Sequence, residues 1–316
     1  MSNAPALPDK PKRRGLLIGI VAAVVVIAVV VVALVLGNRD DSTSTTAGGE
    51  SSGETVRIGV ADQSLPYWRT YTDLAKSQLG VTVELVNFSD YTLPNPALSQ
   101  GELDLNQFQH IQYLANYNVE ADDDIQPVGA TAVYPLPLYS LTADSAEALP
   151  ADAQVAIPND AINQARALLV LQQGGLLTLK DGGTAFSTTN DIETSKVQVT
   201  AVAADQTASA LQSGSVAAAV VNNNYATAAG LPEDDIIVAD DPTAAAAAPY
   251  VNIFAARAED KDDETYAKLV DLFHDPAVQE VFLQDNPSAV VQDVPAADLQ
   301  ASLAEVEEDA KAAAGQ

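Results

Sequence analysis

Gln154–Gly175, QVAIPNDAINQARALLVLQQGG, reads as a strand, a polar turn and a long helix in one run. Gln154–Ile157 is short and apolar, Pro158-Asn159-Asp160 ends it, and Ala161–Gln173 is rich in good helix formers. Gly174-Gly175 supply the helix stop. The same rhythm continues with a strand at Val197–Val202, a helix at Ala208–Gln212 and a strand at Val216–Val221. It has also run once before. Thr55–Val60 is a strand, Tyr71–Leu79 a helix, Val81–Val86 a strand, Pro96–Gln100 a short helix and Leu103–Leu105 a short strand. Strands alternating with helices predict a mainly parallel α/β sheet. Tyr134–Leu141, with Pro135 and Pro137, and Pro249–Ala255 bracket the second unit, and helices around Thr265–Phe273 and Ala297–Ala313 follow it. The expected architecture is two α/β lobes joined by two crossings, the first lobe being discontinuous in sequence. A cleft between such lobes is a place for a small ligand.

The chain has 316 residues, with 15 Lys+Arg against 43 Asp+Glu and a net charge of −28. Such a balance argues against nucleic acid, whose phosphates need cationic neutralisation. Acidic clusters such as Asp122-Asp123-Asp124 and Asp262-Asp263-Glu264 lack EF-hand spacing and read as solvated loops. With no cysteine there is no disulfide, no thiol nucleophile and no site for cysteine lipidation. No metal or cofactor is expected.

Lys10, Lys12, Arg13 and Arg14 precede an uncharged run, residues 15–37, made mostly of Val, Ile, Leu and Ala. At about 1.5 Å per residue such a helix crosses a bilayer core of about 30 Å. The flanking charges put residues 1–14 in the cytoplasm and the rest outside. A cleaved secretory signal is the alternative, but the run is long and ends without a small-x-small site. Residues 38–54 are Ser/Thr/Gly-rich and read as a flexible linker to the domain 55–316. In that domain lobe 1 is expected over about 55–137 and 250–316, and lobe 2 over about 138–249.

In a chain only 5% aromatic, Phe88, Tyr91, Phe108 and Tyr113 crowd into Asn87–Leu114 beside His110, one of two histidines. Aromatics gathered between helices make either a small core or the wall of an apolar slot. Polar candidates lie elsewhere. Asn159 or Asp160 can cap the helix that follows, and Asn163 and Arg166 share a face in its first two turns. A guanidinium there can grip a carboxylate through two hydrogen bonds. Asn222-Asn223-Asn224-Tyr225 follows a strand directly, at the carboxyl-end position where open α/β sheets bind ligands. Asn252 interrupts the apolar run Val251–Phe254 and needs a partner in the hinge or in a ligand.

Together these blocks resemble a known family. Asn87–Tyr91 with Leu93-Pro94-Asn95, Asn106–His110 with Tyr113-Leu114, Val133-Tyr134-Pro135, Pro158-Asn159-Asp160 with Asn163 and Arg166, Asn222 with Tyr225-Ala226, and Pro249–Asn252 occur in the order and spacing of the NlpA family of methionine-binding proteins. The resemblance runs from about Thr55 to the C-terminus. It implies a periplasmic-binding-protein-like, Venus-flytrap fold that serves a methionine ABC importer, with the permease and its ATPase as partners. By resemblance, Tyr91, Phe108, His110 and Tyr113 line the slot for a thioether side chain. Arg166 binds the carboxylate, and Asn163, Asn222 and Asn252 fix the head group of L-methionine or a close analogue. The chemistry agrees, since a thioether packs well on aromatic rings and a buried zwitterion needs polar partners. The chain departs from the family in lacking the lipid-bearing cysteine, a role the apolar run can fill mechanically, and in its acidic, Ala-rich surface.

Other functions are weighed on the same residues. A binding protein for another amino acid or a methionine-containing dipeptide has the same site type, because one methylene in an apolar pocket is worth only about 1–3 kcal/mol. A membrane sensor needs a separate signalling partner. For an enzyme, His110 with Asp104 is the one acid/base candidate, with no nucleophile elbow, metal cluster or phosphate loop beside it.

Overall fold

The computed structural model describes residues 53–315. The expected membrane span, 15–37, lies outside the described residues, among which no helix is long and apolar enough to cross a membrane.

The first lobe opens with β1 (Thr55–Val60), β2 (Thr82–Asn87), β3 (Leu105–His110) and β4 (Gln126–Val133), interleaved with α1 (Pro66–Leu74), α2 (Pro94–Ser99) and α3 (Ile111–Ala121). The second lobe holds β5 (Pro137–Tyr139), β6 (Gln154–Pro158), the hairpin of β7 (Leu177–Leu179) and β8 (Ile192–Ser195), β9 (Gln198–Val202), β10 (Ala218–Val220) and β11 (Ile236–Ala239). Its helices are α4 (Ala161–Gln173), α5 (Thr207–Gln212) and α6 (Asn223–Ala229). The chain then returns to the first lobe with β12 (Val251–Ala256), α7 (Glu264–Phe273), α8 (Pro276–Asp285), β13 (Val290–Val291) and α9 (Ala296–Ala314). One sheet has the order β13-β4-β12-β3-β1-β2 and the other β11-β5-β10-β6-β9. Pro137 already belongs to the second sheet, so the first crossing is Tyr134-Pro135-Leu136.

Both sheets are mixed rather than mainly parallel. β1 pairs in parallel with β2 and β3, as β6 does with β9 and β10, but β12 is antiparallel to β3 and β4, and β5 to β10 and β11. The crossings explain this. β3 and β4 end at the cleft, whereas β12 starts there because the chain has just returned from the other lobe.

Two further expectations shift. The first helix starts at Pro66, a residue suited to the first helical position, because Tyr67, Trp68 and Tyr71 must all turn into the core. Its last turn, Ala75–Leu79, widens into a π-helix ended by Gly80 at φ 72°. The short strand expected at Leu103–Leu105 is instead β3, Leu105–His110, so the aromatic and amide residues occupy a strand and a helix start rather than a loop. Buried amides make this tolerable. Asn95 and Gln109 exchange two side-chain hydrogen bonds at 2.8 and 2.6 Å, and Asn106 joins both, so an apparently polar strand is satisfied inside the lobe.

The first lobe's core is aromatic, with Trp68, Tyr71, Phe254, Phe273 and Phe282 fully buried against Ile58 of β1. Gly129 on β4 lies directly beneath Val270 of α7, leaving no room for a Cβ. The second lobe is aliphatic, with α4 burying Leu168 and Leu171 against Val155 and Ile157 of β6. Phe88 packs at the edge of a second cluster in the first lobe, beside Leu103 and Leu114.

Candidate functional site

Strand ends from both lobes converge on one cavity of about 100 Å³. That is several times the space one water molecule needs, and too little for a macromolecular segment. All eight residues singled out in the sequence line it: Tyr91, Phe108, His110, Tyr113, Asn163, Arg166, Asn222 and Asn252. Val60 and His110 bring it the carboxyl ends of β1 and β3, and Asn222 follows β10, the position at which α/β sheets meet their ligands.

One wall is aromatic. Tyr91 and Phe108 have ring centroids 6.0 Å apart, and Tyr113 stands edge-on to both at 6.2 and 5.9 Å. Tyr225 reaches this cluster from the other lobe, 5.1 Å from Tyr91. Such edge-to-face packing leaves ring faces and edges to meet an apolar or polarizable group. Burial raises the pKa of the Tyr91, Tyr113 and Tyr225 hydroxyls, so the wall is uncharged.

His110 caps α3, its Nδ1 accepting from the Tyr113 N–H at 3.1 Å. Burial first, and the neighbouring Arg166 charge second, push its pKa down to about 3. The ring is therefore neutral and carries its proton on Nε2, as a donor. Among the described residues no carboxylate bonds to it. Asp104 accepts from the Arg57 backbone N–H at 2.7 Å and faces the Arg57 guanidinium. Strand pairing sets Asn252 opposite His110, at an irregularity in β12 where the ladder slips. Bulges of this kind re-aim side chains.

The polar end is built on α4. Arg166 is 5% exposed. Its Nε donates to Asp240 Oδ2 at 2.7 Å and its Nη2 to Asp240 Oδ1 at 3.2 Å and to the Tyr134 carbonyl at 2.7 Å. The guanidinium lies over the Tyr250 ring, 4.2 Å from its centroid. Nη1 makes no hydrogen bond among the described residues. Asp240 also accepts from the Leu136 N–H at 2.7 Å, so a single carboxylate joins Arg166 to both crossings. The sequence gives no sign of this role, because Asp240 is one acid among many in an acidic chain.

Asn163 and Asn222 are linked directly, Asn222 Nδ2 donating to Asn163 Oδ1 at 2.8 Å. The parallel pairing of β6 and β10 sets their following loops side by side. Asn222 occupies the cap position of α6, yet its side chain makes no capping bond.

The lobes touch across the cavity mouth. The Tyr91 hydroxyl donates to Asn224 Oδ1, Tyr225 donates to the Ser89 carbonyl at 3.0 Å, and Asn223 Nδ2 to Asn286 Oδ1 at 2.7 Å. Sequence reasoning placed Asn222-Asn223-Asn224-Tyr225 near a ligand but not its last three side chains on the opposite lobe. That contact depends on how the lobes close, which no local pattern encodes.

Residues 56–294 match the family model described as NlpA lipoprotein. The D-methionine-binding lipoprotein MetQ of Escherichia coli strain K12 is 39% identical over 209 residues, 66% of this chain and 76% of that protein. Among solved structures, a nutrient binding protein from Burkholderia cenocepacia bound to methionine superposes with a TM-score of 0.70 at 36% identity, covering 75% of this chain and 99% of that one. The substrate binding protein of a methionine transporter from Streptococcus pneumoniae gives 0.69 at 33% identity, covering 76% and 95%.

Proposed function

Because the chain belongs to the NlpA lipoprotein family, we propose that it is an extracytoplasmic solute-binding protein that captures methionine between its lobes and delivers it to an ABC importer. The observation that carries this reading is the meeting of an uncharged aromatic wall and a buried guanidinium in one small cavity. A zwitterion with a polarizable apolar tail matches both ends. Tyr91, Phe108, His110 and Tyr113 hold the thioether, Arg166 holds the carboxylate through Nη1, and Asn163, Asn222 and Asn252 serve the head group. Only binding and release are asked of these residues, with no bond broken or made.

In this reading the two lobes close by a hinge motion about the crossings 134–136 and 240–250. The run 15–37 holds the protein to the membrane as a single span, in the place of the lipid that a chain without cysteine cannot carry. Residues 38–54 then tether the binding domain near the permease.

The test is calorimetry on the full-length, detergent-solubilised protein, stripped of co-purified ligand by denaturation and refolding. Methionine is expected to bind saturably with a stoichiometry of one. A refolded protein with a cooperative melting transition but neither heat nor thermal shift on adding L- or D-methionine sinks the proposal.

A further inference from the structure

Asp160 is half-buried at the start of α4, and its carboxylate accepts three hydrogen bonds, all from Asn163. Its Oδ1 accepts from the Asn163 backbone N–H at 2.9 Å, and its two oxygens accept from Asn163 Nδ2 at 3.0 and 3.1 Å. A carboxylate cannot donate, so Asn163 must present its NH₂ group to Asp160. Its carbonyl oxygen then points the other way, where Asn222 Nδ2 donates to it at 2.8 Å. Asn222 is fixed in turn, with its NH₂ group on Asn163 and its Oδ1 left over. That oxygen is buried and has no hydrogen-bond partner among the described residues, and Asn222 lines the cavity.

We propose that Asp160 is a positioning residue that sets the polarity of an Asp160–Asn163–Asn222 amide relay, so that Asn222 offers the cavity an acceptor and thereby selects ligands bearing an ammonium group. This rests on the amino-acid-binding reading above and deepens it. An amide alone is ambivalent, since either end can face a ligand. The charge at the far end of the relay removes the ambiguity without touching the ligand. Arg166 lies three residues beyond Asn163 on the same helix and lines the same cavity as Asn222, so acceptor and guanidinium face one ligand space. Asn222 Oδ1, the atom that could cap α6, makes no capping bond and stays unpartnered while Nδ2 is held by Asn163.

Asp160→Asn keeps the cap and the shape. Its new NH₂ group can face Asn163 and invert the relay, turning the Asn222 NH₂ toward the cavity. The test compares methionine, as the enantiomer the wild type binds, with 4-(methylthio)butanoate, which lacks only the amino group. Both are titrated calorimetrically into full-length wild type, Asp160→Asn, Asn222→Ala and the double variant. Asp160→Asn is expected to weaken methionine by at least about tenfold, the worth of a hydrogen bond to a charged group. The butanoate should change by no more than about twofold, and in the Asn222→Ala background Asp160→Asn should add no more than about twofold to the loss for methionine. Equal losses for both ligands, or additive losses in the double variant, overturn the relay and leave Asp160 as a helix cap. If Asp160→Asn lacks a melting transition, Asn222→Ala alone decides: loss confined to methionine supports the acceptor role, and equal loss rejects it. A wild type that binds neither ligand refutes the amino-acid-binding reading itself, and the relay with it.

Discussion

Asp240 holds Arg166 at 2.7 Å while the same carboxylate accepts the Leu136 N–H from the first crossing. The pair is asymmetric in exposure, 6% for the arginine side chain and 21% for the aspartate. Removing one member of such a pair leaves a charge without compensation. Asp240→Ala is therefore expected to lower the unfolding free energy by about 2–4 kcal/mol, with Asp240→Asn falling between it and wild type. Urea unfolding of ligand-free protein measures this, and two variants within error of wild type would remove the pair from the stability of the hinge.

Tyr91 links the lobes through its hydroxyl while its ring belongs to the aromatic wall. Tyr91→Phe keeps the ring and deletes one bond across the cleft. A loss of about 1 kcal/mol from the closed state corresponds to a roughly fivefold faster release of methionine. Stopped-flow displacement reads that rate directly. A release rate identical to wild type means that the bond does not hold the lobes together.

His110 supplies a pH dependence whose sign follows from its surroundings. In the unfolded chain it titrates near 6.5, and in the fold burial, then Arg166, lower it to about 3. Between those values the unfolded chain binds the extra proton, so stability rises with pH. The contribution is complete above about 6.5 and is lost as pH falls toward 3, amounting at most to roughly 3–5 kcal/mol. His110→Asn retains a helix cap and should flatten the ligand-free stability profile over that window relative to wild type. Parallel profiles would contradict it.

Gly129 is required by packing, not by backbone conformation. A methyl group there meets Val270 of α7. Gly129→Ala is expected to cost about 1–3 kcal/mol, the usual penalty for overpacking. Gly129→Ala combined with Val270→Ala should recover part of it, as measured by thermal or urea unfolding.

The fold was legible where the pattern is local. The helix Ala161–Gln173 and the strand Thr55–Val60 have the bounds their residues suggest, because each carries its own punctuation in Gly174-Gly175 or an abrupt change of polarity. β3 was not, since Asn106, Gln107 and Gln109 look solvated until Asn95 and Thr131 are brought to them from elsewhere in the chain. The antiparallel strands were missed for a related reason: their direction depends on the return path, not on composition. The aromatic lining residues and Arg166 stood out as rare types, whereas Asn163, Asn222 and Asn252 were read from their positions and from the family resemblance. Asp160 was visible only as a cap, and Asp240 not at all, because a carboxylate in so acidic a sequence carries no information until its partner is in place.

Asn222-Asn223-Asn224-Tyr225 lines the cavity with its three asparagines, and its last three side chains also bond to the opposite lobe. Recognition and retention are thus written into four adjacent peptide units. Any drift in this tetrapeptide toward a new cargo changes, in the same step, how long that cargo is kept. For a protein that must surrender what it has caught, selectivity and throughput cannot be tuned apart.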